Sequence, residues 1–221
     1  RYEVEATVSV PVRSLDSLMA DPAVRMPATI DFLKLDTNSS ELDILRGARQ
    51  ALREQVVAVE VEVEFTRLYE GQPLFRDVDA LLDACGFTLF KLRRQHWVRQ
   101  TFERQPRLSA GQLVFADALY LRDPLAGAGA WQPASAHQAE ALILLAALYD
   151  LHDFALELVS APRVAALVQA ERLRQFIRRR SRRLAALRAR LRPAAARIRA
   201  AVSAEARAWR WARGDTDFYS A

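Results

Sequence analysis

The apolar positions of this chain change their rhythm near residue 130. Before it, short runs with a period of two alternate with stretches of helical period; after it, the helical period alone remains. "YEVEATVSVPV" sets Val4, Ala6, Val8 and Val10 against polar neighbours, which predicts a half-buried strand closed by Pro11. "SLDSLMAD" predicts a short helix capped by Ser14. "IDFLKLD" predicts a strand of about seven residues. In "SSELDILRGARQALREQ", Leu42, Leu45, Ala48 and Leu52 form the stripe of one amphipathic helix, with Ser39 or Ser40 as its cap and Glu41 at the positive end of its dipole. "VVAVEVEVEF" places Val57, Val59, Val61, Val63 and Phe65 on one strand face and Glu60, Glu62 and Glu64 on the other. A helix ended by Gly86 and two further strands, "TLFKLRR" and "DALYLRD", complete a βαβα order, which predicts a mainly parallel sheet covered by helices.

Beyond "PLAGAGAWQP" the chain reads as helix over 136–160 and 163–213. The last stretch carries Ile177, Leu184, Leu191 and Ile198 at a spacing of seven, with Leu173 and Leu187 beside them, and Pro193 is expected to kink or break it. The pattern divides the chain into an α/β part at 1–125, a linker at 126–135, a helical extension at 136–213 and a tail at 214–221.

Charge sharpens that division. Residues 163–213 hold 16 arginines against Glu171 and Glu205, a net of +14, while the remainder has 16 basic and 25 acidic residues, a net of −9. An acidic body thus carries a basic helical tail. The seam on that tail fits docking on its own domain or pairing with another helix; the arginines fit a peripheral anionic surface. Trp209 and Trp211 are not interleaved as a base-stacking platform requires, so no nucleic-acid partner is expected. The single cysteine, Cys85, cannot form an internal disulfide and suits a reducing, cytoplasmic setting, where it reads as a small buried hydrophobe. His96, His137 and His152 lack metal-site spacing, so no metal site is expected. No uncharged apolar run approaches the roughly 20 residues that span a bilayer.

The chemistry-bearing residues lie where strands end. In open α/β sheets, ligands bind at the carboxyl ends of the strands. Asp36 follows one strand, and Glu62 and Glu64 close the next. Such carboxylates serve as a general base for a hydroxyl or as hard ligands for a metal, or they cap a turn and face solvent. The "GAG" at 127–129 has neither a strand before it nor a helix start after it and reads as a loop; no GxGxxG occurs.

"SLDSL", then "IDFLKLDTNSSELDILRGA", then "VEVEFTRLYEGQPLFRDVDALLDACGFTLFKL" in that order resembles the later half of the FkbM family of S-adenosylmethionine-dependent methyltransferases. The similarity covers roughly 8–94, and "GQLVFADALYLRD" at 111–123 is similar to the next segment of many members. The resemblance implies a class I, Rossmann-like α/β fold that methylates hydroxyl oxygens, often of sugars or secondary metabolites. It makes Asp36 the candidate for orienting or deprotonating the acceptor, with Glu62 and Glu64 beside it. It also implies that the cofactor-binding half of the sheet lies upstream of Arg1, so that this chain is a fragment: the acceptor-side part, followed by an all-helical region. The turn after Asp36 departs from the family in carrying Ser39 where a glycine is usual. The rival expectation is a non-catalytic α/β scaffold whose basic helix recruits a protein or an anionic surface.

Overall fold

A computed structural model of the chain describes residues 6, 8–102 and 111–201, with side chains followed continuously along the last helix as far as Ala186. Four strands, β1 (Phe32–Leu35), β2 (Ala58–Glu64), β3 (Phe87–Trp97) and β4 (Gln112–Arg122), form one sheet in the order β1-β2-β4-β3. β1 runs parallel to β2, and β4 is inserted antiparallel to both β2 and β3. Three strands therefore share one direction, as a mainly parallel sheet requires, although two of the three pairings are antiparallel.

One face of the sheet carries Leu35, Val59, Val61, Val63, Ala116, Ala118 and Tyr120 and packs against three helices, α2 (Glu41–Arg46), α3 (Arg49–Glu54) and α4 (Phe75–Ala84). The apolar stripe read along 41–52 is buried there, with Leu45, Ala48 and Leu52 wholly enclosed. The stripe runs over two helices rather than one, because α1 (Leu15–Met19) crosses the break. A Cβ on Gly47 would lie 2.9 Å from that of Ser14. Asp16 of α1 accepts hydrogen bonds from Gln50 N at 2.9 Å and Ala51 N at 3.0 Å, satisfying amides that the start of α3 leaves free. Ser14 caps α1 as expected, accepting from Ser17 N at 3.2 Å.

The other face is half covered. Ala58, Leu119 and Leu121, near the amino ends of β1 and β2, pack with α5 (Ala136–Leu148), α6 (His152–Ser160), α7 (Pro162–Ala165) and the first turns of α8 (Ala170–Ala201). The helices after residue 130 thus share a core with the sheet. Ile177 of the heptad seam is fully buried in it and Leu173 packs at its margin, whereas the side chains of Leu187, Leu191 and Ile198 lie outside the described residues. α8 runs through Pro193 without a break, flanked by alanine and arginine, both strong helix formers.

The expected first strand is not observed where the chain is described. Residues 8–12 are irregular, and Val8, Val10 and Val12 are exposed. Alternation makes a strand only where a neighbour accepts its hydrogen bonds, and none is placed beside these valines among the described residues. Val4 and the rest of 1–5 lie outside them.

Candidate active site

β1 and β2 end side by side, with Lys34 opposite Glu60 and Leu35 opposite Val61. Asp36 therefore emerges at the rim next to Glu62. It is exposed, and no hydrogen bond or ion pair holds its carboxylate among the described residues. The turn after it is closed instead by Glu41, the first residue of α2. Its carboxylate accepts from Thr37 N at 2.6 Å, Thr37 Oγ1 at 2.9 Å and Ser39 N at 2.9 Å. Ser40, at the cap position, makes no capping bond with its side chain. The serine cap expected from sequence is thus replaced by a glutamate reaching backwards, which leaves Asp36 free of that task.

This turn is strained. Asn38 and Ser39 have φ of 54° and 94°, backbone values that favour glycine. Ser39 is held there from two sides. Its amide donates to Glu41, and its hydroxyl accepts from Gln72 Nε2 at 2.8 Å. Gln72 is buried, and its Oε1 accepts from Leu68 N at 2.7 Å and Tyr69 N at 3.2 Å. One side chain therefore ties the loop after β2 to the loop after β1.

The three glutamates of β2 do not all face solvent. Glu60 is neutralised. Burial pushes its carboxyl up, but a 2.6 Å bond to Lys34 and a bond from the Tyr149 hydroxyl outweigh that and leave it below the usual carboxylate range. Glu62 has no such partner among the described residues; partial burial, and then the charges of Asp36, Asp117 and Glu41, push it up. Glu64 is only 6% exposed. Burial first, and then Glu41 and Glu62, raise it from 4.5 to about 7, against a smaller opposing effect from hydrogen bonds that include Gln72.

Asp36, Glu62 and Glu64 are therefore brought to one rim, together with two acids that sequence reasoning missed. The sequence pattern gives Glu41 a place only at the helix dipole. Asp117 stands opposite Glu62 because of the β2–β4 register, which no local pattern encodes. Asp117 is itself paired, accepting from Arg93 Nε at 2.8 Å and Nη2 at 2.6 Å. Two cations of this face, Lys34 and Arg93, are thus committed to Glu60 and Asp117, and a third, Lys91, donates to Tyr149 O. The rim is left negative, and Asp36 is its accessible carboxylate. Among the described residues no group of three or more His, Cys, Asp or Glu side chains is placed to hold a metal ion.

Fold and rim together define an α/β domain with an acidic site at the carboxyl ends of adjacent parallel strands. Residues 1–89 match the family model of the methyltransferase FkbM domain, which confirms the resemblance read from their sequence. The matched stretch contains Asp36, Glu41, Glu62 and Glu64 and ends within β3, so β4 and helices α5–α8 lie beyond it. Neither the curated proteins nor the solved structures contain a match to the chain.

Proposed function

We propose that this chain supplies the acceptor side of an S-adenosylmethionine-dependent O-methyltransferase acting on a hydroxyl of a sugar or secondary metabolite. The observation that carries the reading is the free Asp36 carboxylate at the tip of β1, beside Glu62 and Glu64, within the stretch that matches a methyltransferase domain. The parallel β1–β2 pair, with α2 and α3 as its crossover, supports a Rossmann-like sheet. S-adenosylmethionine, when bound, supplies an electrophilic methyl group. The described rim residues do not fit the task of holding it: the loop with Gly127 and Gly129 follows β4 at the amino ends of β1 and β2, the opposite end of the sheet from the rim.

What the chain's own residues contribute is the handling of the hydroxyl. Asp36 accepts the acceptor's O–H hydrogen bond, fixing the oxygen's orientation, and takes its proton as the oxygen becomes nucleophilic. Glu41 and Gln72 hold the turn that aims Asp36. Glu64, raised to about 7, exchanges a proton near neutrality and keeps one negative charge out of the cluster when protonated.

The test is radiolabelled methyl transfer by the complete methyltransferase to a panel of sugar and polyol acceptors. Asp36→Asn is expected to lower kcat about 10²–10⁴-fold with an unchanged melting temperature; unchanged turnover removes Asp36 from the mechanism. A non-catalytic scaffold is the second reading, favoured by the absence of a cradle among the described residues. Titration of S-adenosylmethionine into the 221-residue chain is expected to give little heat. Micromolar binding would show that a cradle is present after all.

A further inference from the structure

α8 is the largest feature that the acidic rim leaves unexplained. Ile177 anchors it in the core, and Arg180 Nε donates to Ala147 O at 3.1 Å, so one side of α8 faces the end of α5. On that side, one turn before Arg180, Phe176 is 46% exposed. Leu148, next to Ala147, is 58% exposed, and Leu144, one turn earlier on α5, is 39% exposed. Three large apolar side chains thus remain in solvent on α5 and α8, near the Arg180–Ala147 bond in sequence. Arg172, Arg179 and Arg183 are exposed at spacings of four, three and seven from Phe176 and form a stripe along its flank. No carboxylate pairs with any of the three among the described residues; Glu171 of α8 is bound to Arg174 at 2.7 Å. Glu140, one turn before Leu144, bounds the apolar stripe on α5, and the exposed acids of α6 are Asp153 and Glu157.

We propose that this face of α5 and α8 docks the protein peripherally on an anionic phospholipid surface. Phe176, Leu144 and Leu148 enter the boundary between head groups and acyl chains, and the arginine stripe engages the phosphates. Charge complementarity selects this occupant. A second copy docked through the same face would bring arginines against arginines. A nucleic acid would set Leu144 and Leu148 against phosphates, where apolar side chains gain nothing. No helix among the described residues is long and apolar enough to cross a membrane, so the contact is with the surface.

The test is co-sedimentation of the 221-residue chain with vesicles of phosphatidylcholine alone or mixed with phosphatidylserine. Binding is expected only with phosphatidylserine and weakens as salt rises, because exposed charges are screened within about 8 Å at physiological ionic strength. The triple change Arg172→Gln, Arg179→Gln and Arg183→Gln is expected to lower the affinity about a hundredfold, and Leu148→Ser with Phe176→Ser about tenfold. All five positions are solvent-facing, and parent-like circular dichroism and melting confirm that the variants fold. Equal binding to neutral vesicles, or parent affinity in the arginine variant, overturns the proposal. So does binding to duplex DNA that survives the apolar changes without vesicle binding. Salt-insensitive self-association lost in Leu148→Ser, again without vesicle binding, assigns the face to a second copy and overturns it equally.

Discussion

The two ends of the sheet solve opposite electrostatic problems. At the amino ends of β1 and β2, where β4 finishes, Arg122 is 3% exposed with no carboxylate partner among the described residues. Its guanidinium donates to the carbonyls of Leu52 and Cys85, with longer contacts of 3.4 Å to Val56 O and Arg53 O, and it stacks 4.1 Å from the Phe87 ring centroid. Those carbonyls include the last ones of α3 and α4, which no later turn satisfies and which carry the negative ends of two helix dipoles. One buried cation therefore completes two helices, although burial still lowers its pKa to about 10. At the carboxyl ends, acids gather without described cations to match them all, and no described group binds Asp36. Saturation of every donor is what a structural site needs, because each unpaired buried group costs stability. Unspent charge at an accessible rim is what a binding or proton-transfer site needs, and it is tolerated at a cost.

The largest way to break the contrast is at the saturated end. Arg122→Leu strands the carbonyls of Leu52 and Cys85 in the core, and about 3 kcal/mol or more of stability is expected to vanish in denaturant unfolding. A loss near zero would mean that water replaces the guanidinium and that the end is not structural.

At the acidic end the effect is a pH dependence. Glu64 is raised from 4.5 to about 7, so the folded state binds its proton more tightly than the unfolded chain. That contribution is fully present below the unfolded value and is lost as pH rises through about 7. Unfolding free energy is expected to fall by about 2–3 kcal/mol over that window. Glu64→Gln flattens the slope and makes the protein more stable than its parent above neutrality. A parent whose stability rises across the same window would show that Glu64 is paired.

The smallest effect tests the strained turn at the acidic end. Ser39→Ala keeps φ at 94° and loses the Gln72 bond, whereas Ser39→Gly loses the same bond and relaxes the backbone. The glycine variant is expected to be more stable than the alanine variant by about 1 kcal/mol in chemical unfolding. Equal stabilities would mean that the turn has moved and no longer needs a positive φ.

Much of the architecture was legible because it rests on local periodicity. The alternation of Val59, Val61 and Val63 in β2, the stripe from Leu42 to Leu52, the Ser14 cap and the Gly86 stop, with its φ of 82°, all appear where the pattern placed them, whereas Val57 lies before β2 and packs in the core of the other face. The failures share a cause. The single helix expected over 39–55 divides at Gly47 because α1 crosses there, and "YEVEATVSVPV" lacks a described partner strand for Val8 and Val10. The site roles of Glu41 and Asp117 were missed for the same reason: they depend on a turn folding back and on an antiparallel register.

By itself, the sequence determined which residues prefer which local geometry, the acidic body and basic tail, and the order of segments that resembles a methyltransferase domain. Each of these depends on neighbours within a few positions, or on composition, and needs no distant contact. Only the tertiary structure decided that Glu64 is buried while Asp36 is free, that Lys34 and Arg93 are spent on Glu60 and Asp117, and that Arg122 closes two helices. Charge and solvation act through space over a few ångströms. The groups that set them come from strands and helices far apart in the chain, 70 residues in the case of Leu52 and Arg122.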